Sequence, residues 1–139
     1  MSELVRLSMS LEKPLHDRLE RLVESSRYTN RSEFIRDLIR QRLVEQQWQD
    51  EHQEVVATIT LVYNHHARQL SERLVDIQHD HHDNIMATTH VHLSHDLCAE
   101  MIMVRGSAIN VRKLADQLRQ QRGVLHAALS MSTTGERLR

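Results

Sequence analysis

The stretch Leu4-Val5-Arg6-Leu7-Ser8-Met9-Ser10-Leu11 alternates in character, with Val5, Leu7, Met9 and Leu11 on one side and Arg6, Ser8 and Ser10 on the other. A period of two is that of a half-buried strand. The spacing then changes. Pro14 suits the first turn of a helix, and Leu15, Leu19, Leu22 and Val23 recur at helical intervals up to the break at Ser25-Ser26. A second helix starts at Asn30, whose side chain can cap it. Glu33, three residues on, completes a capping-box-like pair ahead of the apolar stripe Phe34, Ile35, Leu38, Ile39 and Leu43. The order over residues 1–46 is therefore strand, helix, helix.

A lone strand leaves its backbone N–H and C=O groups unpaired, and about 45 residues make a marginal core. Pairing the strand with that of a second copy solves both problems. The resulting ribbon presents Arg6, Ser8 and Ser10 twice on one face, at a width that fits the major groove of DNA. A net charge of −1 excludes a general electrostatic grip on nucleic acid, so any such contact is local.

The rest of the 139 residues supports a second domain. Hydrophobic residues make up 40% and aromatics only 3%, so the core is aliphatic. Residues 47–54 are polar apart from Trp48 and are expected to link the domains. Within 55–139, Val55 to Tyr63 is rich in branched residues and reads as a strand, and Leu70, Leu74 and Ile77 mark a helix. Ile85 to Leu93 and Ala99 to Val104 follow as strands, with Gly106 expected in a turn. Val111, Leu114, Ala115 and Leu118 mark a helix closed by Gly123, and Val124 to Met131 a last strand. This βαββαβ order predicts a ferredoxin-like sheet with helices on one face, and an α+β class for the whole chain. No apolar run approaches the roughly 20 residues that span a bilayer, and the start Met1-Ser2-Glu3 is not secretory. A cytoplasmic protein without membrane contact is expected. Its only cysteine, Cys98, has no intrachain disulfide partner and stays available as a ligand.

The chemistry concentrates in one segment: His79-Asp80-His81-His82, then His90-Val91-His92, His95 and Cys98. Imidazole with thiolate suits nickel, copper or zinc, whereas calcium and magnesium take oxygen. On a strand over Ile85 to Leu93, His90 and His92 share one face while Ala87, Thr89 and Val91 take the other. Two such imidazoles can grip one ion, and Cys98 follows closely enough to add a thiolate.

Taken together, the ribbon-helix-helix start, Asn30-Arg31-Ser32-Glu33, the tract 79–82 and His90-Val91-His92 with Cys98 on a βαββαβ domain resemble the nickel-responsive transcriptional regulators of the NikR type. The resemblance runs from about Val5 to Met131 and adds an ACT-type character to the ferredoxin-like domain. It implies a homotetramer, a dimer of dimers, with one square-planar Ni(II) per chain. Its ligands would be His90, His92 and Cys98 with His79 of a neighbouring chain, and Glu100 would support them from behind. It also implies base contacts from Arg6, Ser8 and Ser10, and phosphate contacts near Asn30, Arg31 and Ser32, where a helix start favours an anion.

Glu33 and Asp37 match an acidic pair that holds a potassium-like cation in some relatives. Arg68 sits where relatives touch DNA, although its neighbour Ala67 departs from a basic position. His65, His66, His81 and His82 are candidates for secondary metal sites. The implied function is a nickel-dependent repressor on a palindromic operator, controlling nickel uptake. The competing reading is a cytoplasmic metal store or carrier that uses its amino-terminal unit only to dimerise. An enzyme is disfavoured, since four protein ligands leave no place for substrate and no catalytic motif interrupts the domain.

Overall fold

A computed structural model describes residues 3–139, which divide into two units, the residues up to Leu43 with Arg137–Arg139, and Val44–Glu136. In the first, α1 (Lys13–Ser25) carries Pro14 in its opening turn and ends where the Ser26 N–H donates to the Leu22 carbonyl at 3.0 Å. Arg27 then takes a left-handed backbone, φ 61°, which no helix can continue. The next helix, α2 (Arg31–Gln49), is capped as expected, the Asn30 Oδ1 accepting from the Glu33 N–H at 2.9 Å. The reciprocal half of the capping box is absent, because the Glu33 carboxylate is taken by Arg36 one turn on.

The expected strand is not formed. Residues 3–12 carry no ladder, and Leu4, Val5 and Leu7 are exposed. A strand exists through its partner, and the sheet of this chain is made by other segments. The apolar stripes of the helices are largely uncovered: α1 buries none of its residues, and Leu15, Leu22, Leu38 and Ile39 are exposed, while Phe34 is buried against Tyr28.

In the second unit β1 (Glu54–Asn64), β2 (Ile85–His92), β3 (Leu97–Ser107) and β4 (Val124–Met131) form one antiparallel sheet in the order β2-β3-β1-β4. Burial alternates along β1, where Val55, Ala57, Ile59, Leu61 and Tyr63 turn inward. Cys98, Ile102 and Val104 of β3 join them under α3 (Leu70–Asp80) and α4 (Ala108–Arg119), which contribute Leu70, Leu74 and Ile77, and Val111, Leu114 and Leu118. Both helices thus cover one face. On the other, Met101 and Met103 lie open.

Two details depart from the sequence reading. The polar run after Leu43 continues α2 to Gln49, and Trp48, 1% exposed, belongs to the core of this unit. Its indole N–H donates to the Ser132 carbonyl at 2.8 Å, and the Arg112 guanidinium lies 5.6 Å from its ring centre. Gly106 lies inside β3 rather than in a turn. A Cβ there would come within 2.2 Å of the Asn84 amide nitrogen, which donates to the Arg105 carbonyl. Gly123 closes the α4 connection as expected, at φ 101°.

Candidate metal centre

The strand register assembles the site. His92 lies opposite Cys98 and His90 opposite Glu100 in the β2–β3 pair, while Tyr63 of β1 lies opposite Cys98 on its other side. Because directly opposed residues share a face, the imidazoles, thiol, carboxylate and phenol all converge beneath the edge of the helical layer. Cys98 is fully buried and forms the floor, its Sγ 3.4 Å from the His92 Nδ1. The His90 and His92 ring centres are 5.2 Å apart.

His65 closes the group. It follows β1, its N–H is held by the Asp96 carbonyl at 2.7 Å, and its ring centre stands 5.2 Å from that of His92. One donor atom each from His65, His90, His92 and Cys98 lies within 4.8 Å of every other. This spread is one that a single ion could contract around, and the nitrogen–sulfur donors fit a late first-row divalent metal.

Behind these donors stands a hydrogen-bonded brace. The Tyr63 hydroxyl and His90 Nδ1 are 3.2 Å apart. Burial, followed by the negative charges of Glu100 and Cys98, pushes the Tyr63 phenol up to about 12, so it stays protonated at neutral pH. A neutral phenol can accept from Nδ1–H and thereby leave Nε2 free for an ion. Glu100, 7% exposed, is the buried charged residue among those described; its Oε1 accepts from the Gln78 amide at 3.1 Å, and the Gln78 Oε1 from the Thr88 hydroxyl at 3.0 Å. The brace therefore ties α3 to β2 and β3.

His79, in the last turn of α3, lies outside the four-donor group, and its ring neighbours that of His82 at 6.1 Å. His81 Nε2 meets the Gln117 Oε1 at 3.1 Å, and His82 Nδ1 the His79 carbonyl at 3.1 Å. In the first unit Arg6, Ser8 and Ser10 are exposed on the segment before α1, Arg31 pairs with Glu20 at 2.6 Å, and Ser32 lies in the first turn of α2. Asp37 accepts from the Tyr28 hydroxyl and pairs with Arg40; the Tyr28 bond and then Arg40 hold its carboxyl below the usual range. Arg68 lines an open cleft with Arg73 and Arg122. Tyr63 and Gln78 went unnoticed in the sequence because they look like an ordinary strand aromatic and a helix-surface amide. Only the register reveals their neighbours.

A metal-competent ferredoxin-like domain joined to a helix pair with an alternating apolar and polar leading segment defines a class, that of two-domain proteins with a metal-binding module. Comparison with known proteins makes the assignment specific. Residues 56–132 match the family described as NikR C terminal nickel binding domain, and residues 5–46 match the ribbon-helix-helix proteins of the copG family. The chain is 48% identical over 139 residues, covering 100% of both chains, to the "Putative nickel-responsive regulator" of Solibacter usitatus. It is 49% identical over 138 residues, 99% of each, to the protein of the same name in Geobacter metallireducens. Among solved structures, an uncharacterised protein of Thermotoga maritima shares the fold at a TM-score of 0.51 with 11% identity, over 56% of this chain and 96% of that one. The chain belongs to the NikR family of nickel-responsive regulators. No helix is long and apolar enough to cross a membrane among the described residues.

Proposed function

We propose that this chain is a nickel-dependent transcriptional repressor that binds a palindromic operator when Ni(II) occupies a site shared between subunits, and so controls nickel uptake in the cytoplasm. The observation that carries the reading is the convergence of His90 and His92 on a buried Cys98. These three residues, with a neighbouring chain's His79, would hold one nickel per chain. Bound nickel would supply the bond network that fastens one subunit to the next. Glu100, through Gln78, fixes the turn of α3 that carries His79 and so positions that residue for the neighbour.

A homotetramer, a dimer of dimers, is the assembly this arrangement calls for. Pairing of residues 3–12 between two chains would satisfy their backbone, cover the exposed Leu15, Leu22, Leu38 and Ile39, and present Arg6, Ser8 and Ser10 to base edges. Asn30, Arg31 and Ser32 would lie at phosphates. Two ribbons on one duplex require a spaced palindrome. To raise DNA affinity about 100-fold, nickel must supply about 2.7 kcal/mol of coupling, well within the range of known effectors.

The test is a nickel titration read by thiolate-to-nickel absorption, with DNA binding measured in parallel on wild-type, Cys98→Ala and Arg6→Ala chains. Expected are one equivalent of thiolate-bound nickel per chain, loss of both that signal and the DNA response in Cys98→Ala, and loss of DNA binding alone in Arg6→Ala. A Cys98→Ala chain that still gains DNA affinity with nickel would overturn the ligand assignment. A wild-type chain that binds nickel but selects no DNA sequence would instead make it a metal store or carrier.

A further inference from the structure

An ion pair crosses from one helix of the first unit to the next. Arg31, the first residue of α2, sets a guanidinium nitrogen 2.6 Å from the Glu20 Oε1, in the middle of α1. That oxygen is closed to water and accepts no well-aligned hydrogen bond among the described residues, so Arg31 is the cation that offsets its charge. His16, one turn before Glu20, approaches the same oxygen only to 3.7 Å.

The pair is poorly placed as a purely structural device. A cation in the first turn of a helix is opposed by the positive end of the helix dipole. The Arg31 and Glu20 side chains keep 51% and 39% of their surface exposed, and an ion pair this open contributes little stability. What the contact does fix is the direction of the guanidinium. A free arginine samples many rotamers and must be ordered before it grips a phosphate, whereas one tethered at a single nitrogen keeps its other donors on a planar fork at a set angle. At the same helix start the Glu33 N–H is taken by the Asn30 Oδ1, while the N–H groups of Arg31 and Ser32 have no acceptor within the helix.

We infer that Glu20 is a positioning residue for DNA binding, resting on the repressor reading above: it holds the Arg31 guanidinium in the orientation that meets a backbone phosphate at the start of α2. Glu20 acts through Arg31 and touches no nucleic acid itself.

The experiment measures the affinity of the nickel-loaded full chain for the duplex it selects from a random pool, over a series of salt concentrations, in wild type, Glu20→Gln, Arg31→Ala and the double variant. Expected in Glu20→Gln is a loss of about 3- to 10-fold, the cost of ordering one long side chain on binding. The slope of log affinity against log salt should stay as in wild type, because the phosphate contact survives. Arg31→Ala should lose more and lower that slope by about one. Adding Glu20→Gln to Arg31→Ala should change nothing further, a result that a merely structural role for Glu20 would not produce. The thiolate-to-nickel band of Glu20→Gln should match wild type. If Glu20→Gln loses helix content, Glu20→Asp, which keeps the charge and shortens its reach, is read in its place with and without Arg31→Ala. A Glu20 variant that binds as tightly as wild type, or loses equally with and without Arg31, overturns the inference and leaves the repressor reading intact. A tighter-binding Glu20→Gln also overturns it, since the carboxylate would then compete with phosphate for Arg31. A wild-type chain that selects no duplex overturns both.

Discussion

Tyr63 shows how much one side chain can carry. Replacing it by Phe keeps the buried ring but removes the hydroxyl beside His90. Nickel affinity of the proposed centre should then fall by about 10- to 100-fold, the usual effect of losing the group that orients a ligating imidazole, as measured by competition with a chelator. The same phenol sets an alkaline limit. Its proton is held more tightly in the folded chain than at the ordinary value of 10.0, so the stability it confers is complete below pH 10 and lost as pH rises through about 12. Denaturation followed by circular dichroism should show stability falling across that interval, and less steeply in Tyr63→Phe. The metal chemistry at this scale was legible beforehand, because His90, His92 and Cys98 are rare residue types at strand spacing. The closeness of His65 was less so: it depends on the backbone bond to Asp96, a residue far along the chain.

Among the elements, those of the second unit could be read almost throughout, since their burial follows the periods of two and 3.6 residues that the sequence displays. The failures have particular causes. Residues 44–49 lack an apolar stripe, and their part of the helix is anchored chiefly by the buried Trp48 with Val44 packed against the same core, a pattern invisible to periodicity. Trp48→Ala should cost about 3–5 kcal/mol, by the loss of a large side chain from a packed core, in chemical denaturation followed by circular dichroism. Trp48→Phe, which surrenders chiefly the indole N–H bond to Ser132, should cost less than half as much. Gly106 misled because glycine signals turns, yet here it admits the Asn84 amide against a strand. Gly123 can be tested directly. At φ 101° an alanine is strained, and its Cβ would lie 2.9 Å from both the Ala67 Cβ and Leu70 Cδ2, so Gly123→Ala should destabilise by more than about 1 kcal/mol.

For the whole molecule, the strand expected before α1 is not formed in the single chain, and the proposed pairing with a second copy would supply the partner it lacks. The alternation at Val5, Leu7, Met9 and Leu11 encodes an edge that one chain leaves unpaired, and the exposed leucines of α1 and α2 encode a surface that one chain leaves uncovered. In the proposed assembly, folding of that unit is tied to association. Its thermal midpoint should rise with protein concentration, whereas a unimolecular unit would not respond. Thermodynamic linkage then constrains the proposed repressor: if nickel tightens DNA binding by some factor, DNA must tighten nickel binding by the same factor. The measurement pairs a nickel titration of the free protein with one at saturating duplex, the duplex being recovered by selection from a random pool in the presence of nickel. A gain in nickel affinity near 100-fold, matching the gain in DNA affinity at the same salt, is expected of a coupled tetramer. Equal nickel affinity with and without duplex would mean that the metal centre and the ribbon are energetically independent, and the proposed regulation would fail even if both ligands bound.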